Sequence, residues 1–303
     1  MKKTSDAWLV VNGFIDSPKF RQLFACLEES AKRQGCTLEI QTNKQLLTEL
    51  VIGAPDIFNQ KDRPGFVLFW DKDIHLARLL EKLGLRLFNC ADSIEMCDDK
   101  ARTCLELLDQ NIRMPKTIIA PKTFRMEGFP QLDFLQQAED RLGYPMVVKE
   151  CFGSFGQQVW LVSNHLELLD CLGRIKNRPF LFQEYVDAYS GHDIRIQMVG
   201  QQAAAAMHRY NDHDFRANIT NGGRMEAFEP DTEQLAMARQ VMEKLKLDFA
   251  GVDLLFGKDR EPILCEVNSN AHFVNLQECT GVNVAEKIIK YCLNEIKFQK
   301  IKS

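Results

Sequence analysis

The sequence predicts a chain of mixed α/β and α+β class in three parts, and three observations carry that expectation. Through residue ~95, short apolar runs alternate with amphipathic ones, the signature of a parallel sheet flanked by helices. From Met146 onward, apolar runs succeed one another across short turns, as antiparallel sheets require. Near the C-terminus two such runs each carry one acid, Asp253 and Glu266, at a spacing that sets them face to face.

Residues 8–12 read as the first strand. Residues 18–34 follow as an amphipathic helix, with Phe20, Leu23, Phe24 and Leu27 on one side and charge on the other. Strands are expected at 38–41 and 66–70, a helix at 74–83 that stops at Gly84, and a strand at 86–89. This part lacks a Gly-x-Gly-x-x-Gly turn, so it does not read as a dinucleotide site. A second amphipathic helix is expected over 98–111, and Pro115 opens a strand at 116–120. A helix over 132–142 closes at Gly143-Tyr144-Pro145. Strands are expected at 180–186, 193–199 and 202–210, then the acidic hairpin, with helices at 232–245 and 282–296 covering that sheet. The polar stretch 211–224, with its Gly222-Gly223, reads as the loosest segment.

The 303 residues suffice for two or three sub-domains and a sizeable core. A hydrophobic fraction of 45% with 26% charged residues is that of an ordinary soluble globular protein. The formal net charge of −4 favours neither nucleic acid nor an anionic membrane as a partner. No apolar run approaches the ~20 residues that span a bilayer, and the first one is too short for a signal peptide. The ten cysteines include no Cys-x-x-Cys pair, and most have apolar neighbours (Cys26, Cys104, Cys151, Cys265, Cys292). They are expected as reduced thiols of a cytoplasmic protein, without a zinc site.

Folding the hairpin symmetrically about Asp259 and Arg260 sets Asp253 opposite Glu266, with Cβ atoms roughly 4.5–5.5 Å apart. Like charges so placed are destabilising until something neutralises them. Asn268 points to the same face as Glu266 and lies across from Gly251, which occupies no space. Two carboxylates and an amide oxygen converging on a cleft suit Mg²⁺, which takes one or two carboxylates plus phosphate oxygens. The plain alternative is a solvated hairpin face with a chance acidic pair.

Upstream, Met146-Val147-Val148-Lys149-Glu150 is an apolar strand carrying a lysine. Gly153-Ser154-Phe155-Gly156 follows, and a second strand is expected at 158–162. Glycine-rich turns expose backbone N–H groups that cradle phosphate. A Walker loop places its lysine after the glycines and opens a helix; here the lysine precedes them and a strand follows, the layout of a hairpin lid. Taken alone, such a hairpin is also a plain turn. Lys100, Lys149, the lid, Gln183-Glu184-Tyr185-Val186, Asp253, Glu266 and Asn268 come in an order and at spacings that resemble the ATP-grasp superfamily, and within it the RimK-like amino-acid ligases. The carrying strings include Asp98-Asp99-Lys100, Gly191-His192-Asp193-Ile194-Arg195, Ala205-Ala206-Met207-His208-Arg209, Phe215-Arg216-Ala217-Asn218, Ala250-Gly251-Val252-Asp253 and Glu266-Val267-Asn268. The resemblance covers nearly the whole chain and is strongest over 98–281.

The resemblance implies an ATP-grasp fold: a Rossmann-like domain over 1–95, a central lobe with the glycine-rich lid over 96–180, and a C-terminal lobe with the metal site over 181–303. Lys100 and Lys149 would contact ATP phosphates under the lid of Gly153, Ser154, Phe155 and Gly156. Gln183, Glu184, Tyr185 and Val186 would form the hinge that holds adenine, and Asp187 would take the ribose hydroxyls. Asp253, Glu266 and Asn268 would bind two Mg²⁺ ions, with Mn²⁺ able to substitute. The family often has Asn-x-Ser-Pro-Gly after the metal glutamate, whereas this chain reads Asn268-Ser269-Asn270-Ala271-His272-Phe273, which changes the acceptor pocket.

Arg195, Arg209, Arg216 and Asn218 complete the expected catalytic set. Arginine presents a planar fork matched to carboxylate and phosphate, so these residues would hold a substrate carboxylate and the acyl-phosphate made from it. Arg195 has a structural alternative, pairing with Asp193 or Glu184, and Arg216 and Asn218 have one as solvated loop residues. His208 and His272 stay outside the catalytic set. The expected function is an ATP-dependent carboxylate–amine ligase that forms a peptide-type amide through an acyl-phosphate, with glutamate or a similar acidic amino acid as a substrate. The amine would belong to a small molecule, a carrier protein or a protein tail, in a chain open to homo-oligomerisation. Two alternatives stand beside it: a dipeptide or glutathione-like synthetase, and a nucleotide-binding regulatory module without catalysis.

Overall fold

The computed structural model describes residues 6–50, 56–57 and 63–302. β1 (Ala7–Val11), β2 (Leu38–Thr42), β5 (Phe66–Trp70) and β6 (Leu87–Phe88) form a parallel sheet in the order β2-β1-β5-β6. β3 (Thr48–Glu49) and β4 (Asp56–Ile57) make a small separate ribbon that the sequence did not announce. β1 and β5 are buried along their whole length, as strands covered on both faces must be. α1 (Pro18–Arg33) starts at Ser17, whose hydroxyl accepts from the Phe20 N–H, with Pro18 in the first turn. It buries Leu23 and Leu27. α2 (Ile74–Lys82) is capped by the Asp73 carboxylate.

The helix expected over 98–111 is α4 (Lys100–Leu107), continued by a 3-10 turn over Leu108–Gln110. A separate helix, α3 (Ala91–Asp98), ends just before it at Asp99, whose carboxylate accepts from the N–H groups of Ala101 and Arg102. An acid free to cap favours a fresh start over a continuous helix. The break makes Lys100 the first residue of α4.

The central lobe is an antiparallel sheet in the order β7-β10-β8-β9, from β7 (Thr117–Ile119), β8 (Met146–Glu150), β9 (Val159–Val162) and β10 (Phe180–Glu184). α5 (Phe134–Leu142) and α6 (His165–Ile175) cover it and close its own core around Val148, Leu168, Phe180 and Phe182. The third sheet, antiparallel in the order β13-β12-β11-β14-β15, contains β11 (His192–Val199), β12 (Gln202–Tyr210), β13 (Arg224–Ala227), β14 (Phe249–Phe256) and β15 (Pro262–Asn268). α7 (Thr232–Lys244), opened by a capping box between Asp231 and Gln234, packs on one face. α8 (Val274–Thr280) and α9 (Val284–Lys302) pack on the other, in a core shared with β1, β5 and α1. Trp70 stacks flat on Phe249 at 5.3 Å and meets Phe273 edge-on. All ten cysteines are free thiols, and no helix among the described residues is long and apolar enough to cross a membrane.

Candidate active site

The acidic hairpin is β14 and β15, and its register pairs Asp253 with Glu266 and Gly251 with Asn268, as symmetric folding predicts. Toward the turn the register slips by one residue, so that Leu254 pairs with Leu264. The extra residue is Cys265, a β-bulge. In an unbroken strand Leu264 and Glu266 would share a face. The bulge sends Leu264 into the core under α7 while Glu266 turns to the cleft with Asp253. Gly251 is needed for close approach: a Cβ there would lie 2.7 Å from the Ala271 Cβ and 3.5 Å from the Arg195 Nε.

The charge of Asp253 is neutralised by arginine in this structure, so the compensation that facing carboxylates require is supplied at Asp253 by side chains. Arg195 donates to both of its oxygens, at 2.7 and 2.6 Å, and Arg209 donates to Oδ2 at 2.9 Å. Arg209 also forks onto Asp193, at 2.6 and 2.7 Å. The alternative partners expected for Arg195, Asp193 and Glu184, are therefore replaced by Asp253, which lies opposite it in the β11–β14 register. Two acids and two guanidiniums form a buried, charge-balanced quartet. Burial pushes the Asp253 carboxyl up, but the Arg195 and Arg209 guanidiniums outweigh it and hold the pKa at about 2. Burial dominates at Asp193, whose pKa is raised although Arg209 pulls it down.

A cleft lies between the central and C-terminal lobes. It is lined by Lys100, Lys149, Gly153, Ser154 and Gly156, the segment Gln183-Glu184-Tyr185-Val186, and Asp253, Cys265 and Glu266. Lys100 Nζ sits 3.6 Å from Glu266 and donates to the Gly153 carbonyl at 3.4 Å. β10 ends at Glu184, so Tyr185 and Val186 are a linker rather than strand. Gln183 is buried and donates to the Thr117 hydroxyl. Asp187 is exposed and lies beyond the residues that line the cleft.

The lid is held from several sides. Phe155 at its tip adopts a left-handed φ of 60° beneath the Lys19 ammonium, 4.8 Å from the ring centre. Lys72 donates to the Ser154 hydroxyl at 3.4 Å. Arg216 grips Asp214 with Nε and one terminal nitrogen, while the other donates to the Gly156 carbonyl at 2.8 Å. Arg216 thus clasps the lid to the 211–224 segment, and Asn218 lines the space beside it. That segment is ordered by a short 3-10 turn, Ile219–Asn221, ahead of β13.

A second cavity, of about 440 Å³, opens between the N-terminal part and the C-terminal lobe. Asn12, Lys19, Phe20, Trp70, Asp71 and Lys72 form one wall, and 268–272 with Arg195 form another. Gly153, Ser154, Arg209, Asn218 and Glu266 line both spaces, so the two meet there. Trp70 Nε1, Asn268 Nδ2, Asn270 Oδ1 and His272 Nδ1, all on residues of this cavity, are buried without a partner.

Sequence reasoning missed Lys19, Trp70, Asp71 and Lys72. The signal was present: 70–72 leave the carboxyl end of a parallel strand, where open α/β sheets receive ligands.

A family model, the RimK-like ATP-grasp domain, matches residues 97–292. The chain belongs to the RimK-like ATP-grasp family. It is 32% identical over 284 residues to the uncharacterized protein MG012 of Mycoplasma genitalium, covering 90% of this chain and 96% of that one. It is 35% identical over 263 residues to human N-acetylaspartylglutamate synthase A, covering 86% of this chain but only 64% of the human protein. The ATP-grasp ligase PsnB, solved with a precursor peptide variant, Mg and ADP, superposes with a TM-score of 0.71 at 15% identity, covering 97% of this chain and 99% of that one. The ATP-grasp fold and the ADP-forming ligase class expected from the sequence follow from this membership. The RimK-like cleft also suits a hard cation. Glu266 is about one-third exposed where the cavities meet, and Asn268, whose amide oxygen is a donor suited to a hard cation, lies two residues on along the same cavity lining. Asp253 is the weaker donor, since both its oxygens already accept from arginine.

Proposed function

We propose that this RimK-like protein joins a carboxylate to an amine through an acyl-phosphate, with glutamate or a similar acidic amino acid as one substrate. The observation that carries the proposal is the meeting of two cavities along Gly153, Ser154, Arg209, Asn218 and Glu266. ATP would occupy the cleft, with its adenine at Gln183-Glu184-Tyr185-Val186 and its phosphates between Lys100, Lys149 and the lid. The acid and then the amine would occupy the larger cavity.

Glu266 and Asn268, with Asp253 after some release by the arginines, are the residues that would hold Mg²⁺. Mg²⁺ bound there would offset negative charge on the transferring phosphoryl group. The protein's own contribution is orientation. Lys100 and Lys149 place the phosphates, Arg195 holds the acid's oxygens near them, and the lid excludes water. The carboxylate attacks the terminal phosphorus and ADP leaves. The neutral amine nitrogen then attacks the acyl carbon, the carbon–oxygen bond to phosphate breaks, and phosphate departs with the proton that the nitrogen gives up.

The human relative, an N-acetylaspartylglutamate synthase, supports glutamate as the amine side. A cavity of about 440 Å³ favours small molecules over a bulky folded acceptor. The test is phosphate release with ATP, Mg²⁺ and amino acids or N-acyl amino acids, singly and in pairs, with products identified by mass spectrometry. A pair-dependent amide with matching ADP is expected. Phosphate release that never depends on an added acid would overturn the reading.

A further inference from the structure

β11 and β12, which carry Arg195 and Arg209 toward the cavities, bear a second row of side chains on their opposite face. His192 opens β11, and His208 and Tyr210 close β12, in a register that sets His192 against Tyr210 and Ile194 against His208. Strand alternation turns all three away from Asp193 and Arg209. The His192 and His208 rings stack 5.2 Å apart, Tyr210 stacks on both, and Phe256 meets His208 edge-on. His192 Nδ1 lies 3.0 Å from His208 Nε2, and His208 Nδ1 lies 2.9 Å from Glu226 Oε1 on β13.

A carboxylate only accepts, so His208 Nδ1 carries a proton, and one further proton fills the gap between the rings. The chain from His192 through His208 to Glu226 is therefore complete with two neutral rings, and equally with one imidazolium. A second imidazolium sets two N–H groups and two like charges against each other across 3.0 Å. The surroundings offer little to offset them. Glu226 is the acid in contact with the pair. In the open groove that reaches His192, beside His213, Asp214 is matched by Arg216, and Asp212 lies 4.0 Å from Arg224. From the β14–β15 turn the Arg260 guanidinium, over the Phe256 and Tyr189 rings, adds positive charge.

The place of the pair gives it leverage. The linker after β10 enters β11 at His192, and the 211–223 segment runs from the end of β12 to β13. The contact of His208 with Glu226 ties together the two strands that bound this segment. At the segment's start the Asn211 N–H donates to the Gly191 carbonyl at 2.9 Å, so tightly that a Cβ on Gly191 would lie 2.3 Å from the Asn211 oxygen. Arg216, inside the segment, holds the lid through the Gly156 carbonyl.

We propose that His192, His208 and Glu226 form a proton-sensitive switch on nucleotide binding. With at most one imidazolium the chain is intact and Arg216 holds the lid. A second proton breaks the bond between the histidines, slackens the 211–223 segment and weakens the hold on nucleotide. Both histidines are positioning residues, on the far face of the sheet from the reacting atoms. Histidine changes charge between about pH 5 and 8, the range over which the switch works. The proposal rests on the reading that the cleft takes ATP and is independent of which amide is made.

The experiment measures binding of a non-hydrolysable ATP analogue with saturating Mg²⁺ to the full chain, by calorimetry from pH 8 to pH 5. Each protein is compared with its own affinity at pH 7.5, so protonation of the nucleotide enters alike in all. Wild type is expected to lose at least tenfold in affinity between pH 7.5 and pH 5.5. His192→Phe keeps a ring in the stack but leaves one titrating imidazole, and is expected to lose less than threefold. Glu226→Gln, at an exposed side chain, keeps an acceptor oxygen without its charge, so its loss of affinity is expected to move to lower pH. Arg216→Ala is expected to bind more weakly at pH 7.5 and to lose less than threefold on acidification, because the clasp through which the switch acts is gone. Ring-proton NMR is expected to show two coupled steps for the pair in wild type and one for His208 in His192→Phe. One pH profile shared by wild type, His192→Phe and Glu226→Gln, or an acid loss that persists in Arg216→Ala, would overturn the switch while leaving the nucleotide cleft intact. If His192→Phe does not fold, Glu226→Gln and Arg216→Ala decide. Absence of analogue binding at every pH would overturn the switch together with the nucleotide reading of the cleft.

Discussion

Glu266 is the one acid among the five residues that line both cavities, and its loss should separate binding from chemistry. Glu266→Ala is expected to retain measurable nucleotide binding, read by titration with an ATP analogue, while amide formation falls about a hundredfold or more. Phosphate release near the wild-type rate would remove Glu266 from the reaction. His272 gives a prediction in stability. Its pKa falls from an ordinary 6.5 to about 4 on folding. As pH drops through 6.5 the unfolded chain takes up a proton that the folded chain refuses until about pH 4. Stability present above pH 6.5 is therefore lost progressively below it, by up to about 3 kcal/mol. Urea unfolding at pH 7 and pH 5 is expected to show this loss in wild type and less of it in His272→Asn. At this scale the sequence was readable where a residue's chemistry is tied to a local string: Lys149 on its strand, Glu266 and Asn268 on theirs. It was not readable where partners are far apart in the chain. The hold of Arg195 on Asp253 spans 58 positions, and the docking of His272 on the Lys19 carbonyl spans 253.

Elements follow the same division. β5, β8 and β12 run over the residues that the apolar patterns mark, because a buried strand must be apolar throughout or alternate. α3, α6, α8 and β13 were not anticipated. α8, seven residues long, is too short for periodicity to declare, and β13 is an edge strand whose pattern is mostly exposed. The bulge at Cys265 was invisible to a symmetric hairpin, although Leu264 and Glu266 two positions apart already posed a conflict of faces. The hairpin makes its own prediction at Gly251. Its Cβ site is filled by the Ala271 methyl, so Gly251→Ala is expected to cost about 1–3 kcal/mol by overpacking and to lower turnover by displacing Arg195. Adding Ala271→Gly should recover much of both. Melting temperatures and rates of the two single variants and the double variant check this; strict additivity would exclude a steric origin.

The whole molecule has two unequal bodies. The N-terminal sheet and the C-terminal lobe share one core, in which Trp70, Phe88 and Leu68 pack with Phe249, Phe273 and Ile288. The central lobe closes a core of its own. Native-state hydrogen exchange is therefore expected to find β1, β5 and α9 opening as one unit, with β8 and β10 opening separately and more readily. Equal protection across all of them would contradict that division. The boundary expected at residue 95 rested on a change in pattern, and pattern does not report which faces merge in three dimensions. One consequence concerns the flat contact between Trp70 and Phe249. It fixes the aromatic side of the larger chamber as part of the rigid body, whatever the smaller body is doing. A blocker shaped to that aromatic side would find its seat ready-made, in a wall that the shared core already holds in place.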